Sequence, residues 1–166
     1  MWMLITLPFF FQALVIGVDE YYFHIKRGLP RWERIGHPID TFSILLCFAF
    51  VFLAPYTQTN LWWYLGLSLF SCLLVTKDEF VHKHHCPASE QWLHALLFIN
   101  HPIMLAALGL IWPVIQGSSS FFDWINAPAP LFGFLIIQAL ITTGFFLYQV
   151  IYWNFIWKEK TETPQE

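Results

Sequence analysis

The chain has 166 residues, of which 57% are hydrophobic and 11% are charged, with a net charge of −3. A soluble domain carries about 25% charged residues, so this chain has too little polar surface to cover a water-soluble globule. It also has no basic patch with interleaved aromatic residues, which argues against a nucleic-acid-binding protein. The three cysteines have neither disulfide nor zinc-finger spacing. We therefore expect one all-α domain in a membrane.

Five apolar segments are long enough to cross a bilayer as helices, which takes roughly 17–25 residues each. In chain order they cover residues 1–24, 38–54, 61–85, 90–112 and 131–157. The first segment has no basic residue before its apolar run, so we interpret it as a retained helix rather than a signal peptide. Pro38 suits the first turn of the second helix. The predicted fold is a polytopic bundle of five transmembrane helices within residues 1–158, followed by a polar cytoplasmic tail in residues 159–166.

The basic residues predict how this bundle is oriented. By the positive-inside rule, loops rich in Lys and Arg face the cytoplasm. In the five-helix arrangement every basic residue falls on one side: Lys26, Arg27, Arg31, Arg34, Lys77, Lys83, Lys158 and Lys160. We therefore expect the amino terminus outside and the carboxy terminus in the cytoplasm, with the bacterial inner membrane as the location.

Ionisable side chains concentrate at the same predicted cytoplasmic end. Such groups are costly at membrane depth, so a group of them indicates a functional site. Residues three, four or seven apart share a helix face. This spacing produces a polar stripe on each of four helices: Glu20 and His24; His37 and Asp40; Asp78, Glu79, His82 and His85; Glu90, His94 and His101. Asp19 is a further carboxylate near these histidines, and no internal repeat is predicted.

Metal ions explain this mixture of carboxylates and imidazoles. Imidazole suits iron, zinc and copper, and carboxylates suit hard divalent ions. Soluble di-iron bundles carry Glu-x-x-His pairs in their core, and Glu79 with His82 matches that spacing. The stripes hold more candidate ligands than one tetrahedral zinc uses, which favours two metals, or one metal whose ligands are oriented by further polar groups.

Single residues of the stripes also have explanations that involve no metal. Glu90 and Asp40 suit the positive ends of the fourth and second helices. His37 can serve as a cap or loop residue, and Asp78 can belong to a solvated surface beside the membrane. His101 can be a buried neutral histidine that bonds across helices. The case for a metal centre therefore depends on the joint pattern over four helices.

The arrangement resembles the integral-membrane di-iron desaturases and hydroxylases. The nearest counterpart of their histidine boxes is the run His82-Lys83-His84-His85, and acids such as Glu20, Asp40, Glu79 and Glu90 would stand in place of further imidazoles. The resemblance implies two iron ions on the cytoplasmic side, which use oxygen and electrons to oxidise a lipid or another apolar substrate. Because the chain has no nucleotide or flavin motif, the electrons would come from an external donor.

Two other functions are compatible with the same residues. A zinc-dependent membrane hydrolase of a lipid amide or ester would use three ligands and a zinc-bound water, with Glu79 or Glu90 as the base. A non-catalytic metal or proton carrier, or an assembly factor, is the third possibility. Transport sites usually lie near the bilayer midplane, where only Asn100 and His101 are predicted, so transport ranks last. The oligomeric state stays open.

Overall fold

The computed structural model describes residues 2–78, 87–117 and 128–158. Every regular element in these residues is helical, and there are five main helices, as predicted. Helix α1 continues without a break through a π-helical turn, and α3 and α5 also end in short helical extensions. The elements are α1 (Trp2–Asp19, then Glu20–His24 and Ile25–Arg27), α2 (Arg31–Leu53), α3 (Gln58–Val75, then Thr76–Asp78), α4 (Ala88–Ile115) and α5 (Pro128–Ile151, then Tyr152–Ile156).

Four of these helices are long and apolar enough to cross a membrane, which makes the chain an integral membrane protein. These spans are Met3–Arg27, Arg31–Leu53, Ala88–Ile115 and Ala129–Ile156. Helix α3 begins with the polar run Gln58-Thr59-Asn60. Over the described residues its mean hydropathy is too low for it to count among the candidate spans. The predicted third span extends to residue 85, and its last part lies outside the described residues. Five helices are therefore confirmed, and four of them are candidate spans.

Helix α2 begins at Arg31, seven residues before the predicted start near Pro38, so Pro38 lies within the helix instead of in its first turn. Proline has no N–H, and inside a helix it leaves the carbonyl four residues earlier without its usual donor. That carbonyl belongs to Arg34, and the side-chain amide of Asn154 on the α5 extension donates to it at 3.3 Å. A neighbouring helix thus replaces the hydrogen bond that Pro38 removes, as occurs in membrane helices.

Helix α4 lies at the centre of the bundle and packs against the four other helices. Its buried side chains, including Leu108, Ile111 and Trp112, form the core together with residues such as Phe48 of α2 and Tyr64 of α3. Large apolar side chains also cover the outside of the bundle, which is the distribution expected where the solvent is lipid. Polar side chains are instead gathered inside.

One end of the bundle holds most of the buried ionisable groups, and we call it the polar end. The end of α1, the start of α2 and the start of α4 meet there. The α1–α2 connection is a tight turn at Gly28, whose φ of 81° lies in the region that favours glycine. A Cβ at Gly28 would lie 2.4 Å from the Trp157 ring, so any side chain at this position would clash with that ring.

Candidate metal centre

Four buried residues at the polar end bring their ligand atoms together: Asp19 and His24 of α1, and Glu90 and His94 of α4. We call them the four-residue group. The Asp19 Oδ2 atom lies 3.2 Å from His24 Nε2 and 3.1 Å from His94 Nε2. The Glu90 Oε1 atom lies 3.8 Å from His24 Nε2. All four candidate ligand atoms are within 4.8 Å of one another, so one cation can contact all of them.

A π-helical turn over Glu20–His24 allows α1 to contribute two carboxylates to the same histidine. In a regular α-helix, residues four apart share a face whereas residues five apart do not. The i→i+5 hydrogen bonds of a π-turn widen the helix and bring residues five apart onto one side. His24 consequently contacts Glu20 with Nδ1 and faces Asp19 with Nε2. Such turns are frequent at functional sites.

Glu20 orients His24 and lies behind it, away from the other ligand atoms. Its Oε2 atom is 3.0 Å from His24 Nδ1, and its Oε1 atom accepts from the Tyr148 hydroxyl at 2.6 Å and from the Trp153 indole at 2.9 Å. An ionised carboxylate only accepts hydrogen bonds, so His24 Nδ1 must carry the hydrogen of this pair. A carboxylate behind a histidine is the usual support of a metal-binding imidazole, because it frees the other nitrogen for the metal.

The freed nitrogen of His24 lies in an acidic environment. In neutral His24, Nε2 is an acceptor that faces oxygens of Asp19 and Glu90. This nitrogen and these oxygens repel one another electrostatically unless a cation lies between them. A second proton on His24 would make the 3.2 Å contact from Nε2 to Asp19 Oδ2 an ion pair, although Nε2 has no hydrogen-bond partner among the described residues. Asp19 Oδ1 and Glu90 Oε2 are likewise buried without a hydrogen-bond partner in the described part of the chain. Buried orphan atoms of this kind indicate an ion or a water.

The spacing of these atoms fits a divalent metal. With metal–ligand bonds of about 2.1 Å, neighbouring ligand atoms lie about 3.0 Å apart in an octahedron and about 3.4 Å apart in a tetrahedron. The separations of 3.1 Å and 3.2 Å around Asp19 Oδ2 lie between these two values, and the 3.8 Å between Glu90 Oε1 and His24 Nε2 is longer than both. In the absence of metal, His94 Nε2 donates a hydrogen bond to Asp19. Metal binding would displace that proton, as is general for histidine ligands.

A second set of candidate ligands adjoins the first. His24, Glu33 and His37 bring ligand atoms within 4.8 Å of one another, and the rings of the two histidines are 5.0 Å apart. Arg27 connects the two sets, since its Nη2 atom donates to Glu90 Oε1 at 2.7 Å and to Glu33 Oε2 at 3.4 Å. Both glutamates are fully buried. The guanidinium therefore balances part of the negative charge of two adjacent sets of candidate metal ligands.

The structure places two of the predicted ligands elsewhere. Asp40 forms an ion pair with Lys77, with a distance of 2.6 Å from Nζ to Oδ1. His101 is hydrogen-bonded through Nε2 to the Ser71 hydroxyl at 3.0 Å, which agrees with a buried histidine that bonds across helices. Neither residue belongs to the two metal-binding sets.

The predicted residues on the third stripe cannot be placed in the site. Glu79, His82 and His85, including the predicted catalytic role of Glu79, lie outside the described residues. Asp78 is described only through its backbone, at the end of the 3₁₀ turn Thr76–Asp78. The structure thus brings together His24, His37, Glu90 and His94 from the predicted ligands.

Sequence spacing missed three charged residues of the centre. Asp19 was outside the stripes because α-helical spacing was assumed where α1 forms a π-turn. Glu33 was assigned to a loop because α2 was expected to begin near Pro38, whereas Glu33 lies in the first turn of the helix. The sequence reasoning uses Arg27 only to predict which side of the membrane its loop faces. The adjacent acids Asp19-Glu20 before His24 are the signal that could have identified the first of these.

A cavity of about 90 Å³ lies beside the four-residue group and is lined by Asp19, His24, His37 and His94 on its polar side. A second cavity of about 150 Å³ is mostly apolar and includes Phe48 of α2 in its lining. The two cavities adjoin, because they share five lining residues: Gln12, Ile16, Thr41, Ile44 and Phe145. A cavity of about 150 Å³ is large enough for a benzene-sized apolar group. The centre therefore lies next to an apolar space inside the bundle.

The apolar cavity is lined by residues of α1 and α5, among others. These helices contact each other near one end through Phe9 and Phe134, whose ring centroids are 5.5 Å apart, and near the polar end through Glu20 and Tyr148. Between these contacts the cavity is lined by Gly17, which has open space where a side chain would lie, and by the exposed Ile141. We call the stretch of α1 and α5 between these two contacts the α1–α5 window.

Comparison with known proteins supplies no assignment of this centre to a family. No protein-family model, no curated protein and no solved structure matches the chain.

Proposed function

We propose that the protein is a metal-dependent membrane oxidoreductase, of the desaturase or hydroxylase kind, that acts on a lipid or another apolar substrate. The observation that carries the proposal is the convergence of two histidines and one carboxylate, His24, His94 and Asp19, beside an apolar cavity. Two histidines and one carboxylate around open positions are the donor set of non-haem iron oxygenases. Iron is therefore the proposed metal.

The residues of the centre have distinct roles in this proposal. Asp19, His24 and His94 hold the metal, and Glu90 either completes the ligand set or accepts a proton beside it. Glu20 holds His24 in the tautomer that presents Nε2. Bound iron would supply activation of dioxygen, with electrons from an external donor. The burial of all these residues keeps bulk water away from the reacting atoms.

The substrate is proposed to be an acyl chain or a similar apolar group that enters from the bilayer. The α1–α5 window lines the apolar cavity, and that cavity adjoins the centre. Gln12 and Thr41 line both cavities, so a substrate that carries a polar head has hydrogen-bonding groups near the ligands.

The metal content of the purified protein is the direct test. The protein is expressed with added iron, extracted in detergent and analysed by inductively coupled plasma mass spectrometry beside His94→Asn and His101→Asn. The two histidines lie on the same helix and both are buried, but only His94 belongs to the four-residue group. We expect iron in the wild type and in His101→Asn, and loss of iron in His94→Asn. Equal metal content in all three proteins would contradict the proposed centre.

Activity is tested in a second experiment on the iron-loaded protein. Reconstitution into vesicles of unsaturated phospholipid, with a reduced ferredoxin as electron donor, should give oxygen consumption and oxidised acyl chains. The His94→Asn protein should consume no more oxygen than empty vesicles. Iron binding without any oxidation of lipid or of added apolar compounds would retain the metal centre and reject the oxidoreductase.

A zinc-dependent membrane hydrolase is the second candidate function. Two histidines and one acid also hold catalytic zinc, and Glu90 lies 3.8 Å from His24 Nε2, where it can take a proton from a metal-bound water. One tightly bound zinc per chain, together with release of fatty acid from a lipid amide or ester, would favour this function over the oxidoreductase.

The charge distribution supports a proposal for the side of the membrane on which the centre lies. The eight basic residues favour a cytoplasmic polar end in the bacterial inner membrane. A reporter fused after Glu166 should then be active in the cytoplasm. A reporter that is active only on the outer side would reverse the proposed orientation.

A further inference from the structure

Two stretches of the sequence share one pattern of acids, histidines and proline, although no repeat was predicted. The pattern is Asp-Glu, then His, then Pro-x-x-Glu-x-x-x-His. It occurs in residues 19–37, ending in Pro30, Glu33 and His37, and in residues 78–94, ending in Pro87, Glu90 and His94. The last part has identical spacing in both stretches, and the first part differs by a few insertions. We therefore correct the prediction, because the polar end contains an internal repeat.

The structure gives the two Pro-x-x-Glu-x-x-x-His segments the same form. Pro30 precedes α2 with φ −62° and ψ 156°, and Pro87 precedes α4 with φ −66° and ψ 156°. In each helix the glutamate lies in the first turn and is fully buried, and the histidine follows one turn later. Arg27 donates to both glutamates. The two helix starts are therefore equivalent in sequence, in backbone and in the partner they share.

This equivalence extends to the ligand sets. Glu90 and His94 belong to the four-residue group, and Glu33 and His37 belong to the adjoining set with His24. The two sets overlap at His24, and each holds enough candidate ligand atoms for one cation.

We propose that Glu33 and His37 hold a second divalent cation, equivalent to the cation held by Glu90 and His94. The proposal rests on the proposed metal centre, and it adds an ion to it. The second set counts His24 as its third member, and His24 offers only Nε2 to a cation because its Nδ1 contacts Glu20. Each helix start thus supplies one Glu-x-x-x-His pair to one ion. Helix α1 supplies Asp19 and His24 to the same two sets of ligands.

The test counts bound cations in variants that remove one pair at a time. The detergent-solubilised protein is dialysed to equilibrium against Co²⁺, and bound cobalt is counted by mass spectrometry and followed through its visible absorption. We expect two Co²⁺ in the wild type, one in Glu33→Gln/His37→Asn and one in Glu90→Gln/His94→Asn. Asp40→Asn is the matched control on α2, because Asp40 is in neither set, and it should retain two Co²⁺.

The outcomes separate this proposal from the proposed function. One Co²⁺ in the wild type would overturn the second site and leave the metal centre intact. No bound Co²⁺ in the wild type would overturn both. Two Co²⁺ in the wild type and still two in Glu33→Gln/His37→Asn would also overturn the assignment, because the second ion would then lie elsewhere. A wild-type count below two overturns the second site even if a variant loses its helical circular dichroism.

Discussion

The hydrogen bond from His24 to Glu20 yields the sharpest prediction for this protein. In Glu20→Gln the amide oxygen can still accept from Tyr148 and Trp153, which occupy Oε1 at present. The amide NH₂ then replaces Oε2 and points at His24 Nδ1, which is 3.0 Å away. Two donors cannot share this contact, so the imidazole must move its hydrogen from Nδ1 to Nε2. The nitrogen that faces Asp19 and Glu90 is then blocked.

The size of the effect follows from the bond that is lost. A hydrogen bond to a charged group contributes about 1.5–3 kcal/mol. Changing the carboxylate behind a histidine ligand typically weakens metal binding by 10- to 100-fold, which is about 1.4–2.7 kcal/mol. The two figures agree, so we expect Glu20→Gln to raise the dissociation constant for the first Co²⁺ by 10- to 100-fold while the fold persists.

Cobalt titration followed by visible absorption measures this change, with Tyr148→Phe as the matched control. The control removes one donor to Glu20 and keeps the carboxylate against His24, so the dissociation constant should rise by clearly less than the 10-fold or more that is expected when the carboxylate itself is changed. Circular dichroism checks that both proteins are folded. A folded Glu20→Gln protein that binds Co²⁺ within twofold of the wild type would refute the role of Glu20.

Three further predictions concern the window, the turn and the helix packing. Gly17→Phe should lower the affinity for a fluorescent polyene fatty acid at least tenfold by filling the apolar cavity at the α1–α5 window, whereas Gly144→Phe, at an exposed glycine outside the cavity lining, should not change it. Gly28→Ala should lower the free energy of unfolding by at least about 1–2 kcal/mol because φ is 81° there, and thermal unfolding in detergent would show no shift if the turn tolerated a Cβ. Thr41→Val removes a 2.7 Å hydrogen bond to Gln149 and should cost about 1 kcal/mol in the same assay, and an unchanged midpoint would count against this contact.

The helical class of the protein was predictable because it depends on composition and length. Apolar runs of sufficient length can satisfy their backbone in a membrane only as helices or closed barrels. The same runs place the end of α1 and the starts of α2 and α4 on one side, since consecutive helices with short connections alternate in direction. The approach of His24 to Glu90 and His94 was accessible by that reasoning without any coordinates.

The exact membership of the centre was not accessible in this way. Periodicity placed Glu20 with His24 as joint ligands, whereas the π-turn directs Asp19 toward the other ligands and Glu20 to the back of the imidazole. Periodicity also joined His101 to His94, although His101 points to Ser71 on α3. Spacing along one helix defines a face, but it does not define which neighbouring helix that face meets.

The sequence by itself determined the class of this protein, the number of its helices and the end at which its ionisable groups gather, because these depend on local hydropathy and charge. Only the tertiary structure decided which acid faces which histidine. That choice depends on one π-helical turn, on a helix start seven residues earlier than expected, and on donors from α5 that occupy Glu20. Each of these is set by packing between helices, and a single helix carries no record of it.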